Sequence, residues 1–573
     1  MKKFILLKIV LICLFSVNLN AQSSFTEKSY PDELNEKFVL FTDRNYYAVN
    51  ETVYFKALNN SNPLIKEQNW SKVLYVELLN TKGIAAFKGK YILSSSGAYG
   101  SFVIPSDLYS DNYYLVAYTK WMRNFSPRVF AYIKICIINP NRSYVPEKQD
   151  YNFDSSETKQ ETALNIHKDS VNCNLSKSTF SKREKVNVTL EFQKTLGYSP
   201  NSYCISVIKK EAIKQFNFGI INTGISISNN SNKTTYIPEL HGITVSGSVI
   251  GNDDLVPNSN TNVQLSVLGN NFDYLQTKTD SLGKFVFSLQ PTCNKNEMFI
   301  SYEDEKQQSA KILIDNEYAS EKFTFPSSPF LSSENEIKIA EEIMFNMQIN
   351  KSFRKPEIQY ACYDTNAFNF YGSPTSSIYI KDYIELPNLY EVFIELVPEV
   401  MIVKKKGIRS LQVKGNIEHH PYFSEFKPLV LIDRIPVSNI EELLKISSQK
   451  IYRIELVNKI YIKGDNIFGG IISIFSQKGD LAGIKLPENS MFFNYDGFTP
   501  QPNTKSTLPT ENKPNIPDFR NNLFWEPNLI AKGGSEVQIN FNTSDVTGDY
   551  LVLIRGLSED GNIIIGKAEF NVE

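Results

Sequence analysis

Histidine is scarce, at four in 573 residues. Only Glu418-His419-His420 groups two of them, and adjacent side chains of an extended segment point to opposite faces. A metal centre needs three or four converging ligands, so this stretch is expected to be an exposed polar loop. The chain also lacks HExxH, GxSxG and the glycine-rich phosphate loop. No catalytic, cofactor-binding or metal residues are therefore expected, and the protein is read as not an enzyme. Cysteine is sparse too. Cys13 falls in the N-terminal apolar run, and Cys136, Cys173, Cys204, Cys293 and Cys362 are scattered without a CxxC pair. That excludes a disulfide-dense scaffold. Separate buried thiols are the expectation, with a single bridge such as Cys173–Cys204 as the alternative. Neither sign of charge dominates, with 60 basic and 62 acidic residues. A general nucleic-acid binder needs a basic field to attract phosphates, so that class is excluded. The Lys404-Lys405-Lys406 run is read as a solvated strand end. Beyond the N-terminus no apolar run is long enough for a membrane-spanning helix.

Aromatic residues are abundant, with 31 Tyr and 38 Phe against 7 Met. They suit pleated, half-buried surfaces. The expected fold class is mainly β and multidomain: several antiparallel β-sandwiches and one small α/β domain. Residues 1–21 have the form of a signal peptide, with Lys2 and Lys3 ahead of an apolar stretch and Ala21 at the cleavage position. The mature protein is then exported, to the periplasm or the outer membrane. Short alternating strands separated by turns follow over 37–140, and favour a sandwich. A polar, proline-containing linker leads to a second sandwich at 166–240, where 186–192 alternates cleanly and 203–209 less well. A third, smaller sandwich spans 241–316. Residues 317–397 form a helical, mixed connector. Its helix starts at a capping box of Ser333 and Glu336, with Ile337, Ala340, Met344 and Met347 on one face; a second short helix fits 388–397. The α/β unit covers 398–480, with a capping box at Ser438 and Glu441. A Pro-, Asn- and Thr-rich linker follows at 481–520, and a last β domain at 521–573.

Four of these units resemble known families. In 37–140, Thr42-Asp43-Arg44, Tyr47, Glu51-Thr52-Val53, Phe55-Lys56-Ala57 and Ile104-Pro105 resemble the macroglobulin-type sandwich of the α2-macroglobulin family. That family usually has Pro-Gly before the Glu, where this chain has Val49-Asn50; Asn tolerates a left-handed turn. Asp43-Arg44 is read as a structural ion pair at a strand end rather than a binding pair. Thr279-Asp280 with Gly283 and Phe285 resembles the carboxypeptidase regulatory-like domain. Trp525 and the Ser544-Asp545-x-x-Gly548 turn again resemble macroglobulin domains. The stretch 428–437, followed by Gly469-Gly470 and Ile471 to Ser476, resembles the plug domain of TonB-dependent outer-membrane receptors. Receptors usually carry Gly where Arg434 stands. The altered turn Asp433-Arg434 is therefore the candidate interaction turn. The residues after Gly479 are too few for a plugged barrel of about 22 strands of roughly 10 residues each.

The combination resembles exported proteins of Bacteroidetes-type bacteria. It implies a non-enzymatic adaptor or scaffold of the cell envelope. Its partners are expected to be envelope proteins, outer-membrane transport components or surface glycans, with indirect membrane attachment and no cofactor. The alternative is a macroglobulin-like protease trap. No Cys-Gly-Glu-Gln thioester occurs, so such a trap would work without one, through a cleavable segment at 141–165 or 481–520. A hydrolase whose site no motif marks is a third reading.

Overall fold

The computed structural model describes residues 34–573 except 69, 140, 143–165, 169, 198, 214–225, 229–234, 253–255, 270, 294, 304–309, 320–321, 326–329, 331–333, 354–359, 362–368, 406, 416–424, 465 and 503–515. The leader 1–21, Ser333 of the first capping box and the His419-His420 pair lie outside the described residues, as does most of 141–165. The fold is mainly β, with antiparallel sheets stacked in pairs. Its sandwiches are nested rather than strung in a row.

The first sandwich stacks a three-stranded sheet on a five-stranded one. The former contains Phe38–Thr42, Thr52–Asn59 and Gly97–Val103; the latter runs from Tyr46–Ala48 through Ala131–Ile138, Asp111–Tyr118 and Val73–Asn80 to Ala85–Ile92. Asn50 takes φ 66° in the turn before Glu51, as the Val49-Asn50 reading requires. Along Thr52–Asn59, Val53, Phe55 and Ala57 face the sandwich's own core. Leu58, with Val39 and Phe41, packs outward against Cys204, Trp525, Leu557 and Ile563. Both faces are covered, which is why burial is nearly continuous there.

Those outward contacts belong to the second sandwich, and its composition corrects the expectation of separate domains at 166–240 and 521–573. One of its sheets orders Val171–Leu175, Lys185–Phe192 and Glu536–Asn542. The other places Gly548–Leu557 between Asn201–Lys209 and Ile563–Val572, with Asn522–Ala531 on the far side of Asn201–Lys209. The two segments are halves of one sandwich. Lys185–Phe192 buries Val186, Val188, Leu190 and Phe192 and leaves its edge-facing residues out, as its alternation implies. Asn201–Lys209 alternates poorly because Tyr203, Ile205 and Val207 fill this sandwich's core while Cys204 meets the first sandwich.

Between these halves lies the small sandwich. Thr244–Gly251 pairs with Lys284–Ser288 and Ala310–Ile314; opposite them run Asp273–Lys278, Asn262–Val267, Lys295–Tyr302 and Ser490–Asp496. The last strand corrects the reading of 481–520 as linker throughout. It pairs with Lys295–Tyr302 over seven residues, from Ser490 opposite Ser301 to Asp496 opposite Lys295.

The α/β domain is inserted in turn between Ala310–Ile314 and Ser490–Asp496. Its sheet runs Ser376–Tyr379, Ile451–Val457, Ile471–Ser476, Leu429–Ile432, Ile435–Pro436. Leu429–Ile432 and Ile471–Ser476 are parallel. Helices Leu389–Glu395 and Ile440–Leu444 pack on the sheet together with the hairpin Val400–Lys405/Ile408–Val413. The unit therefore starts well before residue 398, taking in the later part of the expected connector. The helix Glu334–Phe353 leaves that connector in the other direction and packs on Tyr46 and Ala48. Its inner stripe has Ala340 and Ile343 buried and Ile339 and Met347 half-buried, while Ile337 is exposed. Asn439, not Ser438, caps Ile440–Leu444 by accepting from the Glu442 amide, and Glu441 instead pairs with Arg409 at 3.0 Å.

Cys173 and Cys204 are free, so no bridge joins them; Cys136 is also free. Cys293 is disulfide-bonded, which overturns the expectation of separate thiols at that position.

Candidate functional site

Asp433 and Arg434 are the two central residues of the turn joining Leu429–Ile432 to Ile435–Pro436, with φ of 45° and 72°. Two positive φ values match the right-handed twist of a tight hairpin. Asp433 is well supported there. Its Oδ1 accepts from the Ser476 amide at 2.8 Å, and its Oδ2 accepts from Ser476 Oγ at 2.6 Å and the Leu481 amide at 2.8 Å. Arg434 carries a left-handed penalty of about 1–2 kcal/mol for a residue with a Cβ. Its side chain crosses to the small sandwich, where Nη1 donates to the Gly269 carbonyl and the guanidinium sits 5.4 Å from the Phe272 ring centre. Around it lies an aromatic seam of Phe272, Tyr274, Phe370, Tyr371 and Phe468, rimmed by a Lys463–Asp273 ion pair. The candidate interaction turn is thus engaged within the chain, docking the α/β domain on the small sandwich.

Different effects are expected at its two residues. Asp433→Ala strands buried donors and lowers stability by about 1–3 kcal/mol. Arg434→Gly relieves the left-handed penalty and loses a cation–π contact of about 0.5–1 kcal/mol, so denaturant midpoints hardly move. Amide exchange at 269–274 rises instead, because the seam loosens.

The opposite edge of the same sheet is open. Ser376–Tyr379 pairs with Ile451–Val457 on one side and with no other strand among the described residues. Tyr379, Tyr383 and Ile384 border it, the last 78% exposed. An unpaired edge with apolar flanks is a template for another strand.

Charged side chains buried between the first and small sandwiches form a second cluster, which sequence reading missed. Lys90 Nζ reaches Glu317 at 2.6 Å and donates to the Asp496 carbonyl at 2.6 Å, 4.0 Å from the Tyr495 ring centre. Burial pushes the Lys90 ammonium down and the Glu317 carboxyl up, and their mutual attraction opposes both shifts. Lys120 Nζ donates to the Thr244 and Ser246 hydroxyls at 3.0 and 3.1 Å. Glu239 Oε1 accepts from Tyr75 OH, the Thr244 amide and the Thr244 hydroxyl at 2.9–3.0 Å. Burial raises the Glu239 carboxyl above its usual range. Most of these contacts run between the two sandwiches, while Glu239 Oε2 is buried and accepts no hydrogen bond among the described residues.

Asp43 and Arg44 are structural too. Arg44 pairs with Glu51 at 2.9 Å, and Asp43 accepts from Asn522 of the second sandwich at 2.8 Å. Among the described residues no group of three or more His, Cys, Asp or Glu is placed to hold a metal ion.

The chain matches no protein-family model and no curated protein. Among solved structures it is similar to trypsin-activated alpha-2-macroglobulin from Escherichia coli, with 8% identity over 96% of this chain and 42% of that one, at a TM-score of 0.22. Salmonella alpha-2-macroglobulin reacted with methylamine gives 7% identity over 94% of this chain and 39% of that one, again at 0.22. Dimeric latent PorU from Porphyromonas gingivalis gives 11% identity over 49% of this chain and 34% of that one, at 0.15. The chain spans less than half the length of each of these proteins.

Proposed function

We propose that this protein is a non-enzymatic adaptor of the cell envelope, exported and attached to the outer membrane through its partners. Its α/β domain, which resembles a receptor plug by sequence, takes an extended segment of an envelope protein along the edge Ser376–Tyr379. The small sandwich, with its carboxypeptidase-regulatory-like Thr279-to-Phe285 stretch, serves as the spacer that carries it. One observation supports this reading above the others: one end of the α/β sheet is anchored through Arg434, while the other presents an open strand with Tyr379, Tyr383 and Ile384 beside it. Strand addition draws its affinity from main-chain hydrogen bonds and its selectivity from side chains beside the edge. No helix among the described residues is long and apolar enough to cross a membrane, a statement that does not bear on β-barrels.

A photo-crosslinker at Tyr383 tests this reading in envelope fractions. The expected result is one dominant adduct with an envelope protein, reduced about tenfold, or 1.4 kcal/mol, by Tyr379→Lys with Ile384→Lys. Equal adduct yield with and without the two lysines would count against the edge as the binding site.

A further inference from the structure

The contact between the first and second sandwiches buries two cations in a largely apolar patch, Lys56 from the first sandwich and Arg555 from the second, the latter donating to Ser206 Oγ with its guanidinium 5.3 Å from the Phe41 ring centre. Lys56 lies in Thr52–Asn59 on the face that packs outward, beside Leu58. It is fully buried. Its Nζ lies 3.1 Å from Asn528 Oδ1 and 5.4 Å from the Tyr99 ring centre. No carboxylate pairs with it at ion-pair distance among the described residues, unlike Lys90 and Glu317. A buried ammonium without a carboxylate is costly, and an amide oxygen is weak compensation.

The other side of the contact is shaped to present that amide. Asn522–Ala531 is an edge strand, and its register against Asn201–Lys209 shifts between Tyr203 and Ile205. The irregularity contains Pro527 and Asn528. A bulge re-aims a side chain and is one of the few places where a strand accepts proline. Asn528 is thereby turned toward the first sandwich. Ser202 Oγ donates to its Oδ1 at 2.8 Å, and Glu526 Oε1 accepts its backbone amide at 3.0 Å.

We infer that Lys56 and Asn528 form an intramolecular isopeptide bond that fastens the first sandwich to the second. The Nζ lone pair attacks Asn528 Cγ, and a new C–N bond forms. Charge developing on Oδ1 is met by the Ser202 hydroxyl, a donor already aimed at that atom. The Cγ–Nδ2 bond then breaks. One amine proton passes to Nδ2, which leaves as ammonia. Amine and primary amide give secondary amide and ammonia, with no change of oxidation state and no co-reactant. Glu526 accepts the Asn528 backbone amide at 3.0 Å and its charge acts on Lys56, so it is assigned as the positioning residue.

The nucleophile must be a neutral amine, and burial favours that form. Desolvation lowers Lys56 to about 8, against the opposing pull of Cys204 and Glu526. A sizeable neutral fraction is present near neutral pH, whereas an ordinary lysine has almost none. Confinement supplies the rest, since holding two reactants in contact replaces a bimolecular encounter. Bond formation should therefore accelerate as pH rises through about 8.

Intact-mass measurement of the purified full chain, after prolonged incubation at mildly alkaline pH, is the test. The expected mass is one ammonia below that of the processed sequence. Proteolytic mapping should give a branched peptide joining Lys56 to Asn528, with no cleavage by trypsin after Lys56. Lys56→Arg should restore the full mass, and Glu526→Gln should slow ammonia loss at least several-fold without changing the product. The wild-type measurement stands even if a variant fails to fold. Unmodified Lys56 and Asn528 peptides at full yield would overturn the inference. So would ammonia loss mapped to a linear peptide, which marks a succinimide at Asn528.

Discussion

Lys90→Ala is expected to lower the unfolding free energy by about 3–5 kcal/mol, the range for breaking one partner out of a buried ion pair. Lys90 is fully buried, and the Glu317 side chain is only 18% exposed. Removing the ammonium leaves that carboxylate without its cation and the Asp496 carbonyl without its donor. Three tyrosine rings also surround Nζ, those of Tyr75, Tyr318 and Tyr495, and lose their shared cation. The cluster joins Ala85–Ile92 of the first sandwich to Ser490–Asp496 of the small one, so the loss should appear as uncoupling of two domains. Lys90→Met combined with Glu317→Leu should recover much of it, because an apolar pair of similar volume often matches a buried ion pair. Lys210–Glu569 serves as control, with both side chains 47% exposed. Solvent screens that pair, and Lys210→Ala should leave the midpoint in place. Urea unfolding of the three variants beside the unaltered protein decides the matter. A Lys90→Ala effect no larger than the control would show that the cluster does not hold the domains.

Much of the local structure was legible. The period-two pattern of Lys185–Phe192 shows which residues are buried, and Asp433-Arg434 is the turn of a true hairpin. Pairings over long separations were not. A strand's alternation says that one face is covered but not by what. Asn201–Lys209 is central in its sheet and covered on both faces, so its pattern is blurred. Ser490–Asp496 failed differently. It is an edge strand with Met491 and Phe492 exposed, between Pro487 and Gly497, so its composition is that of a linker. Lys90 was invisible because Lys88, two residues earlier, points to the rim from the same strand; only packing of the small sandwich decides which lysine is buried. The same limit applied to Arg434. Its turn is local, but the Gly269 carbonyl that it reaches is 165 residues away.

Truncation after residue 515 should abolish folding of 166–212, although the two segments are some 300 residues apart in sequence. Lys185–Phe192 would lose Glu536–Asn542, its partner from Lys185 opposite Asn542 to Glu191 opposite Glu536. Asn201–Lys209 would lose both neighbours, Asn522–Ala531 and Gly548–Leu557. Val186, Val188, Leu190, Phe192, Tyr203, Ile205 and Val207, all in the shared core, would face water. At about 1.5–3 kcal/mol for each large apolar side chain, that is as large as the 5–15 kcal/mol by which a whole domain is stable. Supplying 516–573 as a separate chain should restore the sandwich, since every lost contact is non-covalent apart from the proposed Lys56–Asn528 link, which forms after assembly. Amide exchange along Lys185–Phe192 is the readout: unprotected in the truncated protein, protected again on adding 516–573. Protection that survives truncation would mean that 166–212 folds alone, and the nested architecture would be wrong. Loss without recovery would point instead to an order of folding in which the second half must be tethered to find its place.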